Sequence, residues 1–100
     1  MLDIAVIGTT KFTLGFQLVG IRETHDIESD PYKKIKALMS KENIGIIITE
    51  EKIMLLMEDV DRNEIESSVR PVVLVLSEHA SSESLRKMIR KSIGIDLWAN

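Results

Sequence analysis

Cysteine does not occur in this 100-residue chain. Its absence removes disulfides and thiolate chemistry together and leaves the redox compartment unread. No apolar run approaches the roughly 20 residues needed to cross a bilayer. Residues 1–3 lack the basic start of a signal peptide, and the apolar stretch behind them stops at Gly8, so the chain is read as cytoplasmic. Excess positive charge is missing too: the formal net charge is −3, which gives the body no electrostatic reason to bind nucleic acid. There are no internal repeats and no low-complexity segments. The length suits one domain with a single core, and the apolar and charged fractions are those of an ordinary folded protein.

What is present alternates in type. Residues 2–7 form a short apolar run ended by Gly8, as expected of a strand buried on both faces. A turn at 8–11 leads to a short helix over 13–20, and 21–25 reads as a weak second strand. Asp30-Pro31 starts a helix, with aspartate as N-cap and proline at the first helical position, where a missing N–H costs nothing. Tyr32, Ile35, Leu38 and Met39 recur at helical spacing, with lysines facing water. Residues 43–48 give a third strand. Thr49 is read as the cap of one further helix, with Glu50 and Glu51 at its positive end. The inward stripe of that helix is Ile53, Leu56, Met57 and Val60, and it frays near 61–63. Pro71 opens a fourth strand that runs to Leu76. A tail helix begins near Ser81 or Ser82. Short buried strands between helices predict an α/β domain: an open, receiver-like (flavodoxin-like) sheet of four parallel strands, order 2-1-3-4, over residues 1–80, with a helical tail over 81–100.

In such sheets ligands bind beyond the carboxyl ends of the strands, so chemistry belongs in those loops. The loop Gly8-Thr9-Thr10-Lys11-Phe12-Thr13-Leu14-Gly15 has neither dinucleotide glycine spacing nor the ending of a phosphate loop. Its threonines distantly suggest a flavin-phosphate cradle, against a plain turn and helix cap. A phosphate-accepting receiver needs acidic residues after the first strand and an aspartate closing the third. Gly8-Thr9-Thr10 and Thr49 stand there instead, which leaves no magnesium pocket. His25 and His79 read as surface histidines rather than metal ligands. Ser77, Glu78 and His79 are adjacent in sequence, which does not set base-to-nucleophile geometry. Glu50, Glu51, Glu58, Asp59, Asp61, Glu64 and Glu66 read as a solvated helix face. No catalytic residue, cofactor or metal is expected.

Two features suggest binding. In the order 2-1-3-4 the fourth strand lies at the edge, yet Val72-Val73-Leu74-Val75-Leu76 has no polar face, so Val73 and Val75 await the tail or a partner. The second feature is the tail, where the sign of charge reverses. Arg86, Lys87, Arg90 and Lys91 lie opposite Leu85, Met88 and Ile89 on a helix ended by Gly94. Beyond it Ile95, Leu97 and Trp98, the one tryptophan, continue apolar at a chain end where solvated residues are usual. Trp and Arg are enriched at binding hot spots, which favours a docking tail over 81–100 against an ordinary amphipathic helix with cations near its C-terminus.

These stretches, taken in order, resemble the F subunit family of archaeal A-type (V-type-like) ATP synthases. Ile4-Ala-Val-Ile-Gly8 with Leu14-Gly-Phe-Gln-Leu-Val-Gly-Ile21 is similar to the family's N-terminal signature, and Gly45-Ile-Ile-Ile-Thr-Glu50 to its central strand–helix junction. Pro71-Val-Val-Leu-Val-Leu76 and Ser84-Leu-Arg-Lys-Met-Ile-Arg-Lys-Ser-Ile-Gly-Ile-Asp96 resemble its C-terminal half. The resemblance implies a non-catalytic central-stalk subunit with a receiver-like body and a C-terminal helix that detaches. The body would sit with the coiled-coil stalk subunit, and the tail would reach the nucleotide-binding subunits of the head. The long acidic stretch from Glu50 to Glu66 departs from the family pattern. A stand-alone receiver-like signalling module without a phosphoacceptor is the alternative reading, and a small flavin-binding enzyme the third.

Overall fold

The computed structural model describes residues 2–77. Its elements run β1 (Asp3–Gly8), α1 (Thr10–Leu18), β2 (Glu23–Asp26), α2 (Pro31–Met39), β3 (Ile44–Glu50), α3 (Glu51–Met54), α4 (Asp59–Glu66) and β4 (Val72–Leu76). The four strands pair in parallel in the order β2-β1-β3-β4, as the alternation of elements predicts. The tail over 81–100, with Arg86, Lys87, Arg90, Lys91, Ile95, Leu97 and Trp98, lies outside the described residues, as does His79.

Strand alternation divides the core into two layers. Ala5, Ile7 and Ile47 face Ile35 and Leu38 of α2, together with Met54, Met57 and Ile65 from the α3–α4 side. Val6, Ile46, Ile48, Leu74 and Leu76 face Phe16 of α1. Every residue of β3 is buried, which is why its stretch 44–48 reads as a run without a polar side chain. β4 is at the edge. Val73 and Val75 are half-buried and pack on the α2 layer, and Val72 packs on the α1 layer, so both faces of the strand carry core.

The ends of α1 follow local rules. Gly20 has φ 102, and the amides of Gly20 and Ile21 bond the carbonyls of Gln17 and Phe16 at 3.0 and 3.1 Å. This is a Schellman ending, completed by Phe16 and Ile21 sharing the same core layer. Asp30 caps α2 as its sequence predicts, accepting from the Lys33 amide at 3.3 Å, with Pro31 in the first turn. The helix begins at Thr10 rather than at 13, and β2 begins at Glu23 rather than at 21.

One expected helix is two. After α3 the amides of Leu56 and Met57 turn back only three residues, to Ile53 and Met54, and Glu58 is extended (φ −67, ψ 153) before α4 restarts. Asp59 and Asp61 stand in the first turn of α4, where the helix dipole favours negative charge. The break shifts the buried set: Ile53, Met54, Met57 and Ile65 go inward, while Leu56 and Val60 face out. The single inward stripe predicted through Leu56 and Val60 is therefore corrected. So is the cap: Thr49 is the buried penultimate residue of β3, and Glu50 holds the N-cap position without a side-chain cap bond.

Candidate functional site

The carboxyl ends of β1, β2 and β3 carry the polar side chains that the topology brings together. β3 runs two residues further than its sequence suggests, so it ends on a carboxylate, Glu50, rather than on Ile48. Glu50 is only 7% exposed. Its Oε2 accepts from the Thr9 amide at 2.7 Å and from the Thr9 hydroxyl at 2.8 Å, and Lys52 Nζ stands 4.0 Å from Oε1. The carboxylate comes this close because Gly8 has no side chain: a Cβ there would lie 2.7 Å from Glu50 Oε2 and 2.8 Å from the Phe12 ring. The assignment of Glu50 to a solvated helix face is thus corrected; it belongs to the end of the sheet. Glu51, Glu58, Asp59 and Glu66 do face solvent.

Asp26, at the end of β2, is held in the same manner. Thr13 Oγ1 donates to it at 2.5 Å and Thr10 Oγ1 at 3.0 Å. These two hydroxyls, Thr13 first, hold the Asp26 carboxyl below the ordinary aspartate range. Two acidic groups therefore stand on the receiver-like face, and each is turned onto threonines of the first loop. The hydroxyls of Thr9, Thr10 and Thr13 are spent on Glu50 and Asp26, which opposes the flavin-phosphate reading of that loop. Sequence reasoning missed this network because Glu50 was placed on a helix. The signal that could have found it is a threonine-rich first loop facing strands that close on acids.

His25 sits on β2 above a depression of about 210 Å³, whose lining includes Ile7, Lys34, Ala37, Leu38 and Lys41. Its side chain is 36% exposed, but its Nε2 is buried without a hydrogen-bond partner, 3.6 Å from Glu23 Oε2. That distance is too long for a hydrogen bond and short enough for an ion pair when the ring is protonated. Both lysines are engaged: Lys41 with Glu23 at 3.0 Å, and Lys34 with the Asp26 carbonyl at 3.3 Å. The hydrogen bond from Lys41 is the main reason the Glu23 carboxyl lies below its ordinary range. Across the molecule, Glu64 of α4 takes Lys36 and the Tyr32 hydroxyl of α2, the latter at 2.9 Å, and so ties the two helices together. Among the described residues no group of three or more acids and histidines could hold a metal, and no helix is long and apolar enough to cross a membrane.

Of the sequence-predicted binding residues only Val73 and Val75 are in view, side by side on the half-buried face of the edge strand. The surface offers other apolar residues that sequence reasoning placed inside or left unassigned. Leu14, Leu18 and Val19 are exposed at α1, and Leu55, Leu56 and Val60 at the α3–α4 junction.

Comparison with known proteins gives the same picture over the whole length. The family described as ATP synthase (F/14-kDa) subunit matches residues 4–93. The A-type ATP synthase F subunit of Archaeoglobus fulgidus is 32% identical over 100 residues, covering 98% of this chain and 99% of the relative. The protein of the same name in Methanospirillum hungatei is 36% identical over 99 residues, covering 97% and 99%. The crystal structure of the V-type ATP synthase F subunit of Archaeoglobus fulgidus superposes with a TM-score of 0.66 at 27% identity, over 75% of this chain and 96% of that one. The structural likeness, the full-length relatives and the match from Ile4 to Ile93 agree, and the chain belongs to the F subunit family of A-type and V-type ATP synthases.

Proposed function

We propose that this chain is a non-catalytic central-stalk subunit of a rotary A-type/V-type ATP synthase. In this reading it couples and regulates ATP synthesis or hydrolysis with proton or sodium transport. Its body, residues 1–80, sits with the coiled-coil stalk subunit, peripheral at the cytoplasmic face of the membrane. Its tail, residues 81–100, contacts the nucleotide-binding subunits of the head. The observation that carries the reading is the family match across 4–93, which includes both the sheet and the basic segment behind it. The inward-turned loops support it, because Thr9, Thr10 and Thr13 hold carboxylates rather than standing open to a phosphate. Family membership favours a place in a complex over a stand-alone receiver-like module.

In the tail, Arg86, Lys87, Arg90 and Lys91 steer by charge, and Ile95, Leu97 and Trp98 anchor at short range. Exposed charges are screened within about 8 Å at physiological ionic strength, so the steering part weakens with salt. The test is ATP hydrolysis by reconstituted complexes carrying the wild-type chain, Trp98→Ala, or Arg90→Glu with Lys91→Glu. Altered rates are expected for both variants, with the charge-reversal effect shrinking at high salt. Equal rates for all three at low and high salt would refute the regulatory tail. Calorimetric titration of the full-length chain with Mg-ATP should give no saturable heat. Micromolar binding abolished by Thr9→Ala or Thr10→Ala would overturn the reading of the first loop as lacking a phosphate cradle.

A further inference from the structure

The α3–α4 junction presents apolar surface that the fold does not use. Ile53, Met54, Met57 and Ile65 already supply the core on that side. Leu55, Leu56 and Val60 are left 62%, 70% and 75% exposed within six residues of one another. Exposed leucine scattered singly needs no explanation, but three large apolar residues at one helix junction do.

The charge around them is predominantly negative. Glu51, Glu58 and Asp59 are exposed and Asp61 is half-exposed. The two cations of the same stretch each face an acid: Lys52 lies 4.0 Å from Glu50 Oε1, and Arg62 binds Asp59 at 2.6 Å. Four acids against these two cations leave the apolar centre with a net anionic surround. The exposed apolar residues of α1, Leu14 and Leu18, have no such rim, because Lys11 is the one charge in that helix.

We propose that the α3–α4 junction is a docking surface for a basic amphipathic helix of a neighbouring subunit, an inference that rests on the stalk assignment above. Leu55, Leu56 and Val60 receive the apolar stripe of that helix, and Glu51, Glu58 and Asp61 meet the lysines and arginines that flank it. Apolar centres with complementary charge at the rim are how grooves take amphipathic helices, the rim fixing register and encounter rate. A helix with an acidic or uncharged flank meets repulsion or no complement here.

The test places a photoreactive residue, Leu56→p-benzoylphenylalanine, in the full-length chain, with Leu14→p-benzoylphenylalanine as comparison, and assembles both with the ATP synthase. Position 56 should cross-link to a helical segment of another subunit that carries net positive charge. Adding Glu58→Lys and Asp61→Lys should lower that cross-link at least tenfold while the free chain still unfolds in one cooperative transition, slightly destabilised by cations at the start of α4. A wild-type chain that recovers no ATP synthase subunit breaks the stalk assignment itself. If it does recover the complex, three results overturn the docking surface alone. They are cross-links from position 56 to residues 81–100 of the same chain, cross-links to an acidic or uncharged segment, and no cross-link at all.

Discussion

The carboxyl end of the sheet and the α3–α4 junction handle opposite problems in opposite ways. At the sheet end, polar groups find one another: the buried Glu50 closes on Thr9, and the exposed Asp26 on Thr10 and the buried Thr13, which leaves that end occupied by its own side chains. At the junction, three large apolar side chains face water although the core beneath them is already supplied. A catalytic receiver-like protein would show the reverse, with unpaired carboxylates in the loops and polar residues outside. With the docking proposed above, this fold keeps its sheet but moves its working surface from the loops to the helices.

The largest effect should come from two neighbours on either side of that divide. Met57 is buried and Leu56 is exposed. Met57→Ala should cost about 2–5 kcal/mol by loss of buried methylenes and the cavity left behind. Leu56→Ala should stay within about 0.5 kcal/mol, the usual range for surface changes. Urea unfolding of both variants decides it. Equal losses would mean that α3 and α4 form one helix with Leu56 inward, and the exposed junction would disappear.

A smaller loss is expected at the sheet end. Glu50→Leu removes the acceptor for the part-buried Thr9 amide and hydroxyl, so the loss should fall at or below the low end of the roughly 1–3 kcal/mol that an unmet buried donor costs. Glu50→Gln keeps an oxygen acceptor and should cost less. The same unfolding midpoints test the pair. A Leu variant as stable as wild type would show that Glu50 stands free for another role.

Much of this was legible in the chain itself. Strand count and order followed from short apolar runs between helices, and the Asp30-Pro31 start of α2 from capping chemistry alone. What was not legible depends on geometry that periodicity does not carry. No glycine or proline marks the break at Glu58, so 51–60 reads as one helix; a single extended residue then exchanges the inward set. Glu50 looks like a helix-start acid, because the strand before it continues through Thr49 without an apolar residue to announce it. Val73 and Val75 were legible as edge residues, but their packing on the α2 layer is a tertiary fact.

Gly15 gives a gain rather than a loss. It lies inside α1 between the exposed Leu14 and the buried Phe16, and a Cβ added there meets nothing within 4 Å. Gly15→Ala should therefore stabilise the free chain by about 0.5–1 kcal/mol, since glycine is a poor helix former and no contact opposes the methyl. The melting temperature of the variant is the measurement. A drop would mean that the α1 surface is more crowded than this packing allows.

The smallest effect is electrostatic and confined to acid. Lys36 first, and then the Tyr32 hydroxyl, hold the Glu64 carboxyl below its ordinary value of 4.5. A group whose folded value is depressed contributes stability that is present above its unfolded value and is lost as pH falls through the folded one. The tie between α2 and α4 should therefore be intact at neutral pH and weaken only below about 4.5, as the carboxyl takes up a proton. Lys36 and Tyr32 are both raised, chiefly by their hydrogen bonds with Glu64, so neither titrates in that window. The pair is solvent-exposed, so its share is small and should shrink further with added salt. Wild type and Glu64→Gln, unfolded in urea at neutral pH and again below pH 4, supply the check. The two should differ slightly at neutral pH and converge in acid. A gap that persists in acid would show that Glu64 acts through packing rather than charge.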